Sequence, residues 1–379
     1  MQYIVNPQTE ECTGEKHLLL VNRTEGSWVK IHRTVWKNVL YLIENNMDFN
    51  DKMNEILEVL RKAKMIIPAD ELEIVPRLEN ITIQLTTRCN LKCRHCCATE
   101  LKMEGDMSDE LLKLVEQLCP CEITVSGGEP MLHPDFLEIS KRMRERFQGE
   151  LVLSTNGTLI TEEIAKEIVK YYDKFEISLD GACAQETDSI RGKGVFEKVM
   201  KAVYILKKYG KRIALSAVIL SNDEDLRFAE LNKRLGTVPI RRELFINKEV
   251  LDNFRYFYKG GIEEYIEEKI LEFKNNHKCT IRSCGKMLYQ LFIDAKGNIY
   301  PCGGMAEDKF CIGNIKSFDK QDKNFVEQVM LSDEKYDECR KCNLRSVCWN
   351  CLSEIEDYSK TQKIFSAYCE MIKRKWGNL

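Results

Sequence analysis

Three closely spaced cysteines in the first third of the chain could bind a metal cluster. Cys89, Cys93 and Cys96 follow the spacing C-x3-C-x2-C, directly after an apolar run with the pattern of a strand. A [4Fe–4S] cluster is usually held by four thiolates, so three ligands would leave one iron open to an external ligand. A zinc site is the alternative, and it would need Cys97 or His95 as its fourth ligand.

A second motif lies at the end of the next predicted strand and reads Gly127-Gly128-Glu129-Pro130. Glycines let the backbone approach a ligand closely, and a carboxylate can accept a charge-assisted hydrogen bond from an ammonium group. Alone, the motif is equally typical of a plain turn. Because it follows Cys96 by one strand–helix unit, at the same edge of the predicted sheet, the two motifs together indicate one ligand site.

Cysteine is unusually frequent, with seventeen in 379 residues. Nine of them lie between residues 279 and 379. A reducing compartment does not favour disulfides, and an odd number leaves at least one thiol unpaired. The thiols therefore indicate iron–sulfur or other metal ligation, with structural zinc as the alternative for the C-terminal group.

Composition and charge exclude several classes of protein. The charged fraction of 31% and hydrophobic fraction of 44% are those of a globular chain rather than a disordered one. A net charge of -3 argues against nucleic-acid binding through bulk charge. No apolar run approaches the ~20 residues of a membrane span, and no secretory signal is visible. We therefore predict a cytoplasmic protein that binds neither nucleic acid nor membrane.

The elements that must position the motifs lie between residues 79 and 247, where apolar runs alternate with amphipathic helical patterns. This alternation predicts an α/β fold with an all-parallel sheet, either doubly wound or closed as a barrel. Both motifs follow strands, at the edge where both architectures bind ligands. The predicted strands are 81–85, 123–125, 151–154, 175–179, 213–220 and 240–246, and the predicted helices are 109–118, 135–147, 162–172, 196–209 and 223–235.

The flanking regions have different patterns. Residues 1–78 predict a small winged-helix-like domain, residues 248–278 a helical linker, and residues 279–379 a cysteine-rich domain. The elements predicted in the first region are strands at 17–22 and 27–31, helices at 35–43 and 50–63, and a short strand at 64–67.

Taken together, the three-cysteine loop and the Gly-Gly-Glu-Pro motif resemble the radical S-adenosylmethionine (SAM) superfamily. The resemblance implies a partial (β/α)6 TIM-like barrel, a [4Fe–4S] cluster on Cys89, Cys93 and Cys96, and SAM bound at the open iron. Histidine at 95 departs from the aromatic residue that the family usually has near the adenine. The SAM contacts that the resemblance implies are His95, Gly127, Gly128, Glu129, Asn156, Ser178 and Arg191.

The C-terminal cysteines resemble the SPASM extension, which carries two auxiliary [4Fe–4S] clusters and would bring the total to three. The family has three residues between the last two cysteines of its central run, whereas only Trp349 and Asn350 separate Cys348 from Cys351. The resemblance implies that one auxiliary cluster has the ligands Cys279, Cys284, Cys302 and Cys351, with Cys311 in reserve, and the other has Cys339, Cys342, Cys348 and Cys369.

The N-terminal pattern resembles the recognition element of maturases that modify ribosomally made peptides, which binds a leader peptide as an added strand. A small capping domain is the alternative. The resemblances imply a radical SAM maturase that cleaves SAM to a 5′-deoxyadenosyl radical and modifies a precursor peptide by a thioether or carbon–carbon cross-link. Flavodoxin or ferredoxin would supply electrons, and the catalytic base stays unassigned.

Two other functions remain open from the sequence. An anaerobic sulfatase-maturing, formylglycine-generating enzyme has the same domains, but that family places an Asp directly after a cluster-region cysteine. None of Cys279, Cys284 and Cys302 is followed by Asp. The other alternative is a non-catalytic, metal-stabilised peptide-binding scaffold, which would have no use for SAM-contacting residues.

Overall fold

The chain divides into two compact units. The sheet unit comprises Arg77–Gly261 and Tyr289–Gln321, and the terminal unit comprises Met1–Pro76, Ile262–Leu288 and Asp322–Leu379. None of the described helices is both long and apolar enough to cross a bilayer. The structure, a computed structural model, describes residues 2–22, 25–47, 51–72, 78–96, 109–242, 244, 246, 248–275, 290–318 and 325–377.

The N-terminal part of the terminal unit contains the predicted hairpin and both predicted helices. Gly26, with a φ of 69°, lies in the turn of the hairpin, where the left-handed conformation favours glycine. The short strand predicted at 64–67 pairs antiparallel with a strand near the start of the chain, which the sequence did not predict. The elements are β1 (Tyr3–Val5), β2 (Thr9–Thr13), β3 (His17–Asn22), β4 (Ser27–His32), α1 (Arg33–Glu44), α2 (Asp51–Lys62) and β5 (Ile66–Pro68).

The strands β2, β3 and β4 form an antiparallel sheet with β3 in the centre. Leu18, Leu20 and Ile31 of this sheet pack in one core with Trp36 of α1 and Leu60 of α2. This arrangement gives the amphipathic faces of both helices an apolar partner.

The sheet unit is built on nine strands in the order β11-β10-β9-β8-β7-β6-β12-β13-β14. The six strands from β6 to β11 are parallel and stand in sequence order. A doubly wound sheet reverses its strand order at a switch point, so the sequential order confirms the partial TIM-like barrel. The strands are β6 (Asn80–Gln84), β7 (Glu122–Ser126), β8 (Glu150–Thr155), β9 (Lys174–Ser178), β10 (Arg212–Val218), β11 (Val238–Arg242), β12 (Gln290–Ile293), β13 (Asn298–Tyr300) and β14 (Gly313–Asn314).

Helices connect the parallel strands, as the pattern predicts. The α8 helix shows the local signals: the Ser221 hydroxyl accepts from the Glu224 amide at its start, and Gly236 ends it with a φ of 61°. The helix that contains Arg191 was not predicted. The helices of this unit are α3 (Asp109–Leu118), α4 (Phe136–Arg146), α5 (Glu162–Ile168), α6 (Ala184–Arg191), α7 (Val195–Lys208), α8 (Asn222–Leu235), α9 (Lys248–Asp252) and α10 (Phe254–Phe257).

The C-terminal part of the terminal unit is helical. The long helix α16 packs against α11 and α15, and α14 packs against β2 of the N-terminal sheet. The N-terminal and C-terminal segments of the chain therefore share one compact unit. Its remaining helices are α11 (Ile262–Asn275), α12 (Phe325–Ser332), α13 (Asp337–Arg340), α14 (Arg345–Cys348), α15 (Leu352–Ser359) and α16 (Gln362–Trp376).

Candidate cluster and cofactor site

The three predicted ligands of the core cluster lie on one loop that follows β6. Cys89 is exposed, Cys96 is half-buried and Cys93 is buried. Burial raises the pKa of the Cys93 thiol to about 11, although the nearby Arg191 opposes this rise. The three sulfurs lie close enough to interact electrostatically with one another. Metal binding would supply the deprotonation that burial disfavours, because thiolates are the ligating form.

The two glycines of the second motif let this loop approach the neighbouring strand end. A Cβ on Gly127 would lie 2.6 Å from the Thr86 carbonyl oxygen, and one on Gly128 would clash with the carbonyl oxygen of Arg88. The Gly128 amide donates to Thr86 O and the Glu129 amide to Arg88 O, both at 2.7 Å. The glycines therefore bring the motif against the backbone of the cluster loop, whereas the sequence predicted close approach to a ligand.

Glu129 is a buried carboxylate with a complete set of donors. Its side chain is 0% exposed. The Thr155 hydroxyl lies 2.8 Å from both carboxylate oxygens, and the backbone amides of Asn156 and Met131 donate at 2.8 and 3.3 Å. Burial nevertheless raises the pKa of Glu129 to about 7. A plain turn residue would be solvated, so the burial is evidence against that alternative.

Asn156 joins the second motif to the cluster loop. Its backbone amide donates to Glu129, while its side-chain amide donates to Asn90 Oδ1 at 2.9 Å and lies 3.9 Å from Cys89 Sγ. Residues from three consecutive strand ends thus meet at one place. Thr155, which the sequence left unassigned, is the residue that the geometry adds here.

His95 and Arg191 both contact Asp180, a residue to which the sequence pattern assigned no role. His95 Nε2 lies 2.6 Å from Asp180 Oδ2, and Arg191 Nε forms an ion pair with the same oxygen at 2.5 Å. Asp180 is 1% exposed. Burial alone would raise the pKa of Asp180, but Arg191 and His95 hold it well below its usual range. Ser178, the last residue of β9, lies half-buried two positions earlier.

An aromatic pair from the predicted linker packs against the cluster loop. The guanidinium carbon of Arg94 lies 3.9 Å from the centre of the Tyr256 ring, a cation–π geometry. The His95 ring stacks on Phe257 with centroids 6.4 Å apart and an interplanar angle of 21°. Helix α10 is therefore part of the site, and its tyrosine and phenylalanine were the only sequence signal for that role.

The four predicted ligands of one auxiliary cluster line a single cavity of about 400 Å³ in the terminal unit. Burial raises the pKa of the Cys339 thiol to about 11 and also raises that of Cys369. The basic residues Lys335, Arg345 and Lys373 line the same cavity together with the acidic residues Glu334, Asp337 and Glu338, so its charged lining is mixed. The cysteines that meet here are Cys339, Cys342, Cys348 and Cys369.

The other predicted auxiliary set is only partly described. Cys279 and Cys284 lie outside the described residues, as does Cys97. Cys302 lies in the sheet unit and Cys351 in the terminal unit. Cys302 follows β13, and Cys311 Sγ lies 3.3 Å from the Gly313 carbonyl oxygen. This ligand set stays a prediction.

The chemistry of both cysteine groups fits iron–sulfur clusters. An anionic cluster is stabilised by nearby cations and N–H donors, and Arg191 and Asn156 supply these at the loop. In the described part of the chain, no three His, Cys, Asp or Glu side chains could hold one metal ion. The thiolates of a [4Fe–4S] cluster bind separate irons, so they need not converge on a single point.

Residues 83–232 match the family model of the Radical SAM superfamily. Among curated proteins, the chain is 26% identical over 308 residues to the mycofactocin maturase of Mycolicibacterium smegmatis, covering 72% of this chain and 74% of that protein. It is 24% identical over 359 residues to a cysteine-type anaerobic sulfatase-maturating enzyme of Clostridium perfringens, covering 79% and 95%.

The fold is also similar to that of solved structures. The crystal structure of Streptococcus suis SuiB aligns with a TM-score of 0.56 at 13% identity, covering 95% of this chain and 97% of SuiB. SuiB has also been solved with its precursor peptide SuiA, and that structure aligns with a TM-score of 0.52 at 14% identity, covering 93% and 96%. At sequence identities this low, these alignments show a shared fold and nothing more. The aligned residues cover nearly the whole chain.

Proposed function

We propose that this chain, an enzyme that carries a radical SAM domain, modifies a ribosomally made precursor peptide. The observation that carries the SAM chemistry is the meeting of Cys89, Glu129 and Asn156 at consecutive strand ends of the barrel, and the similarity to the mycofactocin maturase supports a peptide substrate. A reduced [4Fe–4S] cluster held by Cys89, Cys93 and Cys96 would supply the electron for cleavage of SAM to methionine and a 5′-deoxyadenosyl radical, the species that would take a hydrogen atom from the peptide.

The chain's own residues hold and orient the reactants. Cys89, Cys93 and Cys96 would bind three irons and leave the fourth for the amine and carboxylate of SAM. The Glu129 carboxylate, kept in place by Thr155 and Asn156, would accept from the SAM ammonium. The Arg191 guanidinium would face the SAM carboxylate, because its planar fork matches that group.

Further SAM contacts come from the ends of the strands. Ser178 would bind the ribose, and Gly127 and Gly128 would border the methionyl amine. His95 would lie beside the adenine, against Phe257. These roles follow the family pattern at the matching positions of this sequence.

Auxiliary clusters would accept an electron or hold a peptide thiolate during cross-linking. The cavity lined by Cys339, Cys342, Cys348 and Cys369 supports one of them, because four thiols, the usual number of ligands of a [4Fe–4S] cluster, meet there. The second would use Cys279, Cys284, Cys302 and Cys351.

The modification itself is the first test of this function. Anaerobic enzyme, SAM and a reductant such as flavodoxin or ferredoxin are expected to convert a precursor peptide with a leader and a Cys-, Lys- or Trp-containing core to a product lighter by two hydrogens per cross-link. Mass spectrometry measures the product, and omission of SAM is the control. A precursor of unchanged mass, in a reaction that does produce 5′-deoxyadenosine, would contradict the peptide assignment.

The sulfatase-maturating relative supports a second candidate function. In that case a sulfatase-derived peptide would gain formylglycine from its cysteine or serine, and the precursor peptide would stay unmodified. The sulfatase-derived peptide and the precursor peptide are therefore incubated with the enzyme in parallel reactions. The peptide that is modified identifies which of the two functions is correct.

The leader of the precursor would add as a strand to the N-terminal sheet, whose two edges are β2 and β4. Helix α14 packs against β2, and Trp376 of α16 packs edge-to-face on Trp28 of β4.

A further inference from the structure

We propose that Asp180 is a positioning residue of the SAM site. Its carboxylate holds the side chains of His95 and Arg191 in place beside the core cluster loop. The inference rests on the proposed function, because it concerns how this chain binds SAM. Asp180 follows the end of β9, and the side chains it holds come from the cluster loop and from α6.

One oxygen of Asp180 serves both partners. Oδ2 lies 2.6 Å from His95 Nε2 and 2.5 Å from Arg191 Nε. The other oxygen, Oδ1, accepts from the Val218 amide at 2.8 Å, which fixes the carboxylate against the end of β10. At 1% exposure this carboxylate has almost no access to water, so its orientation is set by these three partners.

The partners of Asp180 reach the cluster ligands. Arg191 Nη1 lies 3.9 Å from Cys93 Sγ. Because the guanidinium is planar and rigid, the ion pair between Nε and Asp180 restricts where the Nη nitrogens lie, although the Nε–H does not point at the carboxylate in hydrogen-bond geometry. The Arg94 amide also donates to the Ile190 carbonyl at 3.1 Å, so backbone and side-chain contacts both join the cluster loop to α6.

Without the Asp180 charge, the buried Arg191 would lose its counter-ion. Its guanidinium would then move to pair with another acceptor. The Arg191 guanidinium would then no longer lie where it can pair with the SAM carboxylate. The three cysteines of the cluster loop would keep their positions. We therefore expect cluster assembly and SAM binding to respond differently to a substitution at Asp180.

Asp173 provides a matched control, because it lies just before β9 while Asp180 lies just after it. Asp173 also pairs with an arginine, Arg144, at 2.8 Å and accepts from a backbone amide, that of Leu151, at 2.8 Å. The two positions are ~23 Å apart along an extended strand. Asp173→Asn therefore removes an Asp–Arg ion pair from the same unit, far from the cluster loop, at a position where the aspartate side chain is 41% exposed against 1% for Asp180.

The test compares full-length wild type, Asp180→Asn and Asp173→Asn after anaerobic reconstitution. Asp180→Asn is expected to keep the wild-type iron content, to bind SAM at least tenfold more weakly by calorimetry, and to show an altered SAM-induced change in the EPR spectrum of the reduced protein at saturating SAM. Asp173→Asn should match wild type in all three measurements. Asp180→Asn that also matches wild type would overturn the inference.

A second variant covers the case in which Asp180→Asn does not take up iron. Arg191→Lys keeps the charge but cannot span Asp180 and Cys93, so it should retain iron and reproduce the loss of SAM affinity. Where both variants fold, the double variant should be no weaker than the weaker single one, because both act through one contact. Additive losses, or wild-type affinity in Arg191→Lys, would refute the coupling.

The failure of this inference is distinguishable from failure of the proposed function. A wild-type protein whose reduced EPR spectrum did not respond to SAM would overturn the proposed function itself. A wild-type protein that responds to SAM, alongside an Asp180→Asn variant with the same response, would overturn only the positioning role.

Discussion

Replacing Cys89, Cys93 and Cys96 together by alanine is expected to abolish reductive cleavage of SAM. Each residue would bind a separate iron of the core cluster, and a cluster without these thiolates cannot form. Iron content should fall from about twelve to about eight per chain, because the two auxiliary clusters lie on other cysteines. Iron analysis and chromatography of 5′-deoxyadenosine after dithionite reduction measure the two effects.

Three other cysteines of the sheet unit give the matched control for this variant. Cys119, Cys121 and Cys183 have no assigned ligand role, and their combined replacement by alanine removes the same number of thiols. That protein should keep about twelve irons and full SAM cleavage. Continued production of 5′-deoxyadenosine by the Cys89, Cys93 and Cys96 variant would show that the core cluster lies elsewhere.

Local pattern predicted the barrel well because each strand–helix unit carries its own signals. The apolar run at 151–154 became β8, whose Leu151, Val152 and Leu153 are all 0% exposed, as expected for a parallel strand covered on both faces. The helix predicted at 109–118 has those bounds in the structure. Sequential strand order agrees with the tendency of consecutive strands to lie side by side.

The sequence pattern did not predict which distant segments of the chain pair as strands. Strand β12 pairs with β6 across more than two hundred residues, and nothing in its four residues specifies that partner. The short strands β1 and β2 were also missed. β1 pairs only with β5 among the described strands, and three residues are too few to show a period.

The site shows the same division between local and non-local information. Motif spacing was enough to place Cys89, Glu129 and Asn156 together, because each follows a neighbouring parallel strand. The partners of Asp180 come from residues 95, 191 and 218. A charged residue directly after an apolar strand was the available signal, since a buried carboxylate requires partners.

Glu129→Gln is expected to weaken SAM binding by about tenfold or more. A hydrogen bond between the carboxylate and the SAM ammonium contributes roughly 1.5–3 kcal/mol, and each ~1.4 kcal/mol is a factor of ten in affinity. Iron content should not change, because Glu129 is not a cluster ligand. Calorimetric titration of SAM into anaerobic protein measures the affinity.

Glu122 offers the matched control at the opposite end of β7. It also accepts side-chain hydrogen bonds, from Asn80 Nδ2 at 2.6 Å and Thr124 Oγ1 at 3.3 Å. Glu122→Gln should therefore bind SAM as wild type does. Equal SAM affinities for Glu129→Gln and Glu122→Gln would remove Glu129 from the SAM site and favour the structural-metal scaffold.

The raised pKa of Glu129 gives the same substitution a second, pH-dependent signature in protein without SAM. The folded pKa is about 7 because of burial, against an ordinary value of 4.5. Between these two values the folded state holds a proton that the unfolded state has released, so stability falls as pH rises through this window. At ~1.4 kcal/mol per pKa unit, the loss amounts to about 3 kcal/mol once pH exceeds 7.

Glutamine at position 129 does not titrate, so Glu129→Gln should lack this loss. The wild-type free energy of unfolding, measured by denaturant titration from pH 5 to pH 8, should therefore fall relative to that of the variant. Above pH 7 the wild type holds a charge that burial opposes and that the hydrogen bonds from Thr155, Asn156 and Met131 offset only in part, so a cationic ligand would stabilise it further. A constant difference between the two proteins across this range would mean that Glu129 is ionised throughout, and its carboxylate would then need no ammonium partner.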